Sequence, residues 1–586
     1  MTTLVVLQKF AAKWPPSLLN MNKQVSRSFS SSSRRSSPNF SRLRRTTYLG
    51  LGLGIAYYAD ERFNASSLSR TLRTFGTGAV IALDYKINFQ VHPPFAESII
   101  ALHERNAERV YALLRANGGL YLKIGQAIAM QSAILPLEFQ KRFARFYDDA
   151  PQNEWEDVVR VIREEFDGRS PEQVFGAIEN TARASASIAQ VHYAVLPNGQ
   201  KVAVKVQKRE IAQQVDWDLW AFGAIMYLYT KFFDIPLYPM VPYISQRLLL
   251  ETNFTNEADN AERTAVNIES EPRLRGRVHI PVVYRNLTTK RIMTAEWIDG
   301  IRLSDKEALT ASWKGVKGGG GLGVRLADVM KTLVDLISAQ IFVWGDVHCD
   351  PHPGNVLIRR SPSGAPQLVL LDHGLYVRLE PALRRQYASF WRALLALDNK
   401  ELQRISSAWG VRNTDAFASA TLMRPYGDTA QLLNDAGVPV GEHEDESASE
   451  RAFVMQQRMR ASISDILGDE RAWPRALIFL GRTIRMLQAN NQMLGSPVNR
   501  VGIMGAWAAR ALADDPGIPR AERWLNWWRH ILFRLALLAS DGAWYVSRVR
   551  QVLGFGGGME RDVEEAVRAI AKRNFGVELN HDPFDG

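Results

Sequence analysis

The sequence predicts an α+β fold of two lobes, with a helical extension on its N-terminal side and a helical region at its C-terminal side. Three observations carry this. Val191, Tyr193 and Val195 alternate, Pro197-Asn198-Gly199 supplies a turn, and Val202, Val204 and Val206 alternate again, the period-2 pattern of a β-hairpin. Residues 386–554 read instead as amphipathic helices rich in Trp, Leu and Arg. Between the two, "HCDPHPGN" (348–355) and "QLVLLDHG" (367–374) set polar, chemistry-bearing residues beside short apolar runs.

With 586 residues, 46% of them hydrophobic, the chain can bury a large core and has length for two to four units of roughly 150 residues. Its net charge of +11 is concentrated at one end. Residues 1–59 hold nine Lys or Arg and no Asp or Glu, leaving 63 basic against 61 acidic residues elsewhere. That distribution argues against nucleic acid as a partner. The serine-rich, acid-free start, with a short apolar segment at Leu4–Phe10, has the composition of a mitochondrial transit peptide, and residues 1–45 are expected to be a disordered presequence. The single cysteine, Cys349, excludes an intrachain disulfide and a paired-cysteine zinc scaffold.

Residues 46–95 contain two uncharged segments, "TTYLGLGLGIAYYA" (46–59) and "TFGTGAVIAL" (74–83). Neither supplies the roughly 20 apolar residues of a clean membrane span. Arg42, Arg44 and Arg45 precede the first, and Tyr57 and Tyr58 sit where an interfacial belt would lie, so this stretch is expected to associate with a membrane. Residues 96–150 form the helical extension. Within it, Leu120, Ile124 and Ile128 share one helical face while Lys123 and Gln126 share a neighbouring one.

The domain expected at 151–385 holds the chemistry. Lys205, in V-A-V-K, lies on the strand face opposite Val202, Val204 and Val206. A strand lysine usually snorkels to solvent, and the following segments decide otherwise. Glu251 and Glu257 lie in a polar helical stretch, 251–263, and "RIMTAEWIDG" (291–300) reads as a strand ending in a polar turn, where Glu296 and Ile298 would border an adenine. Asp350 and Asn355 are five apart, and Asp372 ends an apolar run 17 residues later. Lysine on a strand, Asp-x4-Asn, then strand-Asp-x-Gly is the order of protein-kinase-like enzymes, in which an aspartate orients the acceptor and Asn and the second Asp hold magnesium. The same octet weighed as a zinc site needs His348, Cys349, Asp350 and His352 to converge from one short loop, without the usual ligand spacing. As a nucleophile, Cys349 suffers from adjacent Asp350, whose charge raises a thiol pKa. His348 is expected to orient the loop by hydrogen bonding, with Cys349 as a small spacer.

The ordered run K-x-G-Q (Lys123–Gln126), A-S-A-S-I-A-Q-V-H (Ala184–His192), V-A-V-K, N-E-A-x-N (Asn256–Asn260), H-C-D-P-H-P-G-N and D-H-G resembles the UbiB family of atypical kinase-like proteins, also called aarF-domain-containing kinases. The likeness covers roughly residues 96–390, with more at "LGRTIRMLQANNQMLGSPVNR" (480–500), and points to the mitochondrial, membrane-linked branch. It implies ATP and Mg2+ as cofactors. An alanine-rich loop, Ala184, Ser185, Ala186 and Ser187, would cover the nucleotide. Lys205 would contact its phosphates and pair with Glu257, Asp350 would be the catalytic-loop aspartate, and Asn355 and Asp372 the magnesium ligands. Lys123, Gln126 and Glu251 would gate the site, because in this family the Lys-x-Gly-Gln helix folds over the place where a protein kinase admits peptide. One departure stands out. The family has Glu-x-Asp before the helix glutamate, and this chain has Glu251-Thr252-Asn253, which removes a carboxylate from the gating network.

The C-terminal helical region is expected from 386 to 586, with "KGVKGGGGLG" (314–323) and "EHEDESASE" (442–450) as solvated loops, and with "RWLNWWRHILFRLALLASDGAWYVSRVRQVL" (523–553) able to pack in a core or lie on a bilayer. The expected function is magnesium-ATP chemistry, as an ATPase or as a phosphotransferase acting on a small molecule or isoprenoid-type lipid, at the mitochondrial inner membrane. On the resemblance alone, that activity supports lipid or coenzyme Q homeostasis. A protein kinase and a non-catalytic, ATP-gated module binding lipid or a partner protein are the alternatives.

Overall fold

The computed structural model describes most of residues 48–129, then 137–143, 152–233, 241–312, 321–422 and 474–514, with scattered positions to 553. The expected presequence, the acidic loop 442–450 and most of the glycine-rich insertion lie outside the described residues. Helix α1 (Ser67–Asn88) packs on α2 (Ile99–Asn117), followed by α3 (Leu120–Ala129) and α4 (Leu137–Phe143). The apolar segment 74–83 is part of α1. No helix among the described residues is long and apolar enough to cross a membrane. Tyr48, Leu51, Ile55, Tyr57 and Tyr58, in the segment before α1, are exposed.

The first lobe is built on α5 (Trp155–Glu165) and an antiparallel sheet of β1 (Ala177–Ile178), β2 (Ala184–Ser185), β3 (Ala189–Val195), β4 (Lys201–Gln207) and, from later in the chain, β6 (Ile292–Glu296). The β3–β4 hairpin runs in register from Val195 opposite Lys201 to Ala189 opposite Gln207. Gly199 takes φ +80° in its turn, a conformation that side chains disfavour. Val202, Val204 and Val206 bury themselves with Ile292 against Val158, Val161 and Ile162 of α5. Strand alternation therefore turns Lys205 to the other face, toward the cleft. Between β4 and the cleft come α6 (Ile211–Phe233), which packs on α1 through the buried Arg70–Asp218 pair, then α7 (Val241–Glu251) and α8 (Phe254–Ser270).

The second lobe carries β5 (Val278–His279), β7 (Ile301–Arg302), α9 (Leu326–Ser338), β8 (Asp346–His348), β9 (Val356–Arg360), β10 (Pro366–Leu370) and β11 (Tyr376–Arg378). Its small sheet has the order β5-β10-β9-β7, and β8 pairs with β11. Helix α9 is buried nearly all round, with Leu333, Leu336 and Ile337 at zero exposure, and around it sit α10 (Pro381–Leu395), α11 (Asn399–Ala408), α12 (Thr414–Leu422), α13 (Ala476–Met493) and α14 (Arg500–Asp514).

One apolar core runs from Ile188 to Leu512, so the expected domain boundary at 386 falls inside it. The reason is the wetting pattern of α9. Its buried faces need cover on every side, and Trp391 of α10, Leu480 and Ile484 of α13, and Met504 and Trp507 of α14 supply it. Trp507 also donates its indole N–H to Asp335 of α9 at 2.9 Å. Replacing Trp507 with alanine is expected to destabilise the whole lobe by about 3–5 kcal/mol. Urea unfolding followed by probes in both lobes checks this, since a separate C-terminal domain would leave the cleft transition unmoved.

Candidate functional site

Lys205 crosses the cleft from β4 to Glu257, in the first turn of α8, with its ammonium 2.7 and 2.8 Å from the two carboxylate oxygens and 3.4 Å from Asp372 Oδ2. Phe254 lies beneath the ammonium, 5.2 Å away. Burial works against the charge of Lys205, but Asp372 and Glu257 outweigh it and hold the ammonium above its usual range. Burial likewise opposes ionisation of Asp372, and Lys205, Lys123 and the Gly374 N–H overcome it, leaving this carboxyl well below the usual range. Asp372 Oδ1 accepts that N–H at 2.9 Å, and a Cβ at Gly374 would stand 3.2 Å from the same oxygen.

Two histidines fix the loops around these charges. His348 Nδ1 accepts the Asp350 N–H at 3.0 Å, so Nε2 is the protonated nitrogen and donates to the Asp372 carbonyl at 2.5 Å. Both ring nitrogens are thereby spent within the protein. His373 donates from Nε2 to the Leu370 carbonyl and accepts from the Tyr376 hydroxyl, while Asn260 of α8 donates to the His373 carbonyl at 2.9 Å. Burial pushes His373 down to about 3, keeping it neutral. Cys349 is fully buried, its thiol directed at the Val347 carbonyl and pushed up to about 12 by burial. The octet is thus a scaffolded loop, and no group of three or more His, Cys, Asp or Glu suited to a metal occurs among the described residues.

Asn355 donates from Nδ2 to the Asp350 carbonyl at 3.2 Å, which leaves its amide oxygen as the atom able to face a cation. One carboxylate and one amide oxygen form a hard donor set of the kind that holds magnesium together with nucleotide phosphates. These residues fit that ion.

The expected nucleotide loop is a tight turn. Ala184 and Ser185 form β2, paired with Val191 and Gln190, and the Ala186 N–H closes onto the Ala189 carbonyl at 2.8 Å. Ser187 Oγ is buried and has no hydrogen-bond partner among the described residues. Where β6 ends, the Glu296 carboxylate accepts from His279 at 2.6 Å, from the Val282 N–H and from Arg359. Ile298 is buried where the chain leaves β6.

Lys123 of α3 pairs with Glu251 at the end of α7, 3.1 Å apart. Burial disfavours its charge, and Glu251, Asp372 and Asp350 together hold its ammonium above the usual range. The Gln126 side chain lies outside the described residues. Asn253, standing where the family pattern has an aspartate, is the N-cap of α8, its Oδ1 accepting from the Thr255 N–H at 3.2 Å. The capping role survives the substitution because asparagine caps about as well as aspartate. The carboxylate does not.

Sequence reasoning missed the contribution of α13. Arg482 reaches Asp350 Oδ1 at 2.9 Å, Thr483 donates to the His348 carbonyl at 3.4 Å, and the buried Asn490 donates to the Pro351 carbonyl at 2.8 Å. Burial opposes ionisation of Asp350, and Arg482 chiefly overturns it, keeping this carboxyl below the usual range. A signal existed. Arginine and threonine are adjacent at 482 and 483, and asparagine follows about two turns later at 490, polar residues set among the apolar ones of α13.

The ABC1 atypical kinase-like domain matches residues 145–406. The ABC1 family protein lscO of Purpureocillium lilacinum is 44% identical over 535 residues, 87% of this chain and 88% of that one. The ABC1 family protein C10F6.14c of Schizosaccharomyces pombe is 39% identical, over 85% of this chain and 91% of the relative. AarF domain-containing protein kinase 1 of Gallus gallus is 30% identical, over 74% and 81%.

Two outcomes are expected from the site as built. Asn253→Ala should cost about 1 kcal/mol through loss of the α8 cap while Asn253→Asp leaves stability unchanged, read from urea midpoints. Cys349 should resist iodoacetamide at pH 8 in the folded chain and react once unfolded in urea, as followed by mass spectrometry.

Proposed function

The chain belongs to the ABC1 atypical kinase-like family, and on that premise we propose that it binds magnesium-ATP between Lys205 and Asp372 and turns it over, by hydrolysis or by transfer to a small-molecule or lipid acceptor, at a mitochondrial membrane. The observation that carries this reading is the Lys205–Glu257 pair with Asp372 at 3.4 Å, a lysine already charged, positioned and shared with a metal-loop carboxylate. Lys205 would hold the phosphates, and Asp372 and Asn355 the magnesium. Bound magnesium-ATP supplies an activated phosphoryl group whose developing charge the metal offsets. Asp350 receives or orients the acceptor hydroxyl.

A small acceptor suits this site better than a peptide. Lys123 with Glu251, and Arg482 on Asp350, occupy the side of the catalytic loop that an extended polypeptide would have to cross. The acid-free, serine-rich residues 1–59 and the exposed Tyr48, Leu51, Ile55, Tyr57 and Tyr58 support import into the mitochondrion and attachment at the inner membrane. The family resemblance supports a place in lipid or coenzyme Q homeostasis.

Calorimetric magnesium-ATP binding and phosphate release by the purified chain test the reading. Wild type is expected to bind and turn over ATP, Asp372→Asn to lose magnesium-dependent binding by at least tenfold, and Asp350→Asn to bind normally with turnover reduced by at least tenfold. Binding without turnover, even with lipid vesicles present, would make the chain an ATP-gated binding module. Absence of binding would sink the nucleotide site.

A further inference from the structure

Three guanidinium groups, those of Arg247, Arg475 and Arg482, are carried to one side of Asp350 by α7 and α13. Arg247 of α7 and Arg475 at the start of α13 lie 5.2 and 5.9 Å from the ring centroid of Tyr243. Phe479, three residues before Arg482, packs edge-on to the same ring at 5.6 Å. Arg482 itself reaches Asp350 at 2.9 Å. Arg247 donates from Nη1 to the Tyr376 carbonyl at 2.9 Å, while its buried Nε has no acceptor among the described residues. Among the described residues, no carboxylate stands within ion-pair distance of Arg247 or Arg475. Glu251, one turn on from Arg247, is committed to Lys123. The nearby thiol of Cys349 is protonated and supplies no anion.

An unsatisfied buried N–H costs about 1–3 kcal/mol, more on a charged group, and calls for an explanation, of which a bound ligand is one. The planar fork of arginine donors matches the oxygens of a carboxylate or phosphate. Resting on the reading of Asp350 as the acceptor-side group, we propose that Arg247, Arg475 and Arg482, with Tyr243 and Phe479 as an apolar wall, bind the acidic group of the acceptor, a phosphate monoester or a carboxylate. Arg482 is then shared. With the site filled, it divides its donors between the ligand anion and Asp350, and loosening of the 2.9 Å pair exposes the Asp350 carboxylate to the acceptor hydroxyl. The acid group acts as the signal that readies the loop.

The experiment titrates the whole chain, held in saturating magnesium-ADP so that the nucleotide site is filled, with phenyl phosphate, benzoate and benzyl alcohol by calorimetry. Both acids are expected to bind and the alcohol not. The double variant Arg247→Gln, Arg475→Gln should weaken the acids at least tenfold with magnesium-ADP affinity held within twofold. Should that variant not fold, Arg475→Gln alone is expected to weaken them at least threefold. Inorganic phosphate and dihexanoyl phosphatidic acid, run in parallel, separate a free anion from a lipid headgroup, and tighter binding of either supports the site. Binding of the alcohol as tightly as the acids, absence of acid binding, or undiminished acid affinity in the variants would overturn the proposal. If wild type fails to bind magnesium-ADP, the nucleotide reading falls, and the same titrations without nucleotide still judge the anion site.

Discussion

The pairing of Lys205 with Glu257 is the constraint on which the rest of the cleft depends. Both side chains are largely out of water, so neither charge is tolerable without the other, and removing one partner of such a pair costs about 3–5 kcal/mol. The pair can form only if β4 turns its valines to α5 and its lysine to the cleft, and only if α8 begins where Asn253 caps it. Asn260 on α8 then holds the His373 carbonyl, and His348 holds that of Asp372, which delivers the Asp372 carboxylate to the lysine already in place. Sheet, helix and loop fix one another through one shared charge.

Much of this was readable in the sequence because it is local. Alternation over a few residues specifies the β3–β4 hairpin, and the spacing of Asp350, Asn355 and Asp372 reports a loop and the strand that follows it. Other features were not readable. Ala184 and Ser185 form a strand only because β3 offers them partners, a fact of pairing rather than of propensity. The expected break at 386 follows a change in helical content, but amphipathic helices do not announce whose core they complete, and α13 and α14 complete that of α9. Arg247 lies on α7, and Arg475 and Arg482 at the start of α13 and within it, more than 200 residues further along the chain, a separation that no local pattern bridges. Tertiary packing brings them together.

The charge distribution explains why the loop tolerates so many ionised groups. Asp350 and Asp372 would repel one another across the cleft, and each is matched by a cation from a different part of the chain: Lys205 from the first lobe, Lys123 from the helical extension, Arg482 from the C-terminal helices. Substituting Asn253 for an acid leaves one fewer negative charge to balance. The extension and the C-terminal helices are therefore electrostatic parts of the site as well as packing around it.

The distance along the chain from the catalytic loop to its support has a temporal meaning. Asp350 and Pro351 are held by residues 132 and 139 positions downstream, so the loop takes its final shape only after long-range closure. While the ribosome is still synthesising the segment between residues 372 and 482, Lys205 and Asp372 already exist, but Asp350 lacks its guanidinium partner and its neighbour lacks its amide clasp. The order of synthesis leaves Asp350 without its ion pair and Pro351 without its clasp until α13 has been made.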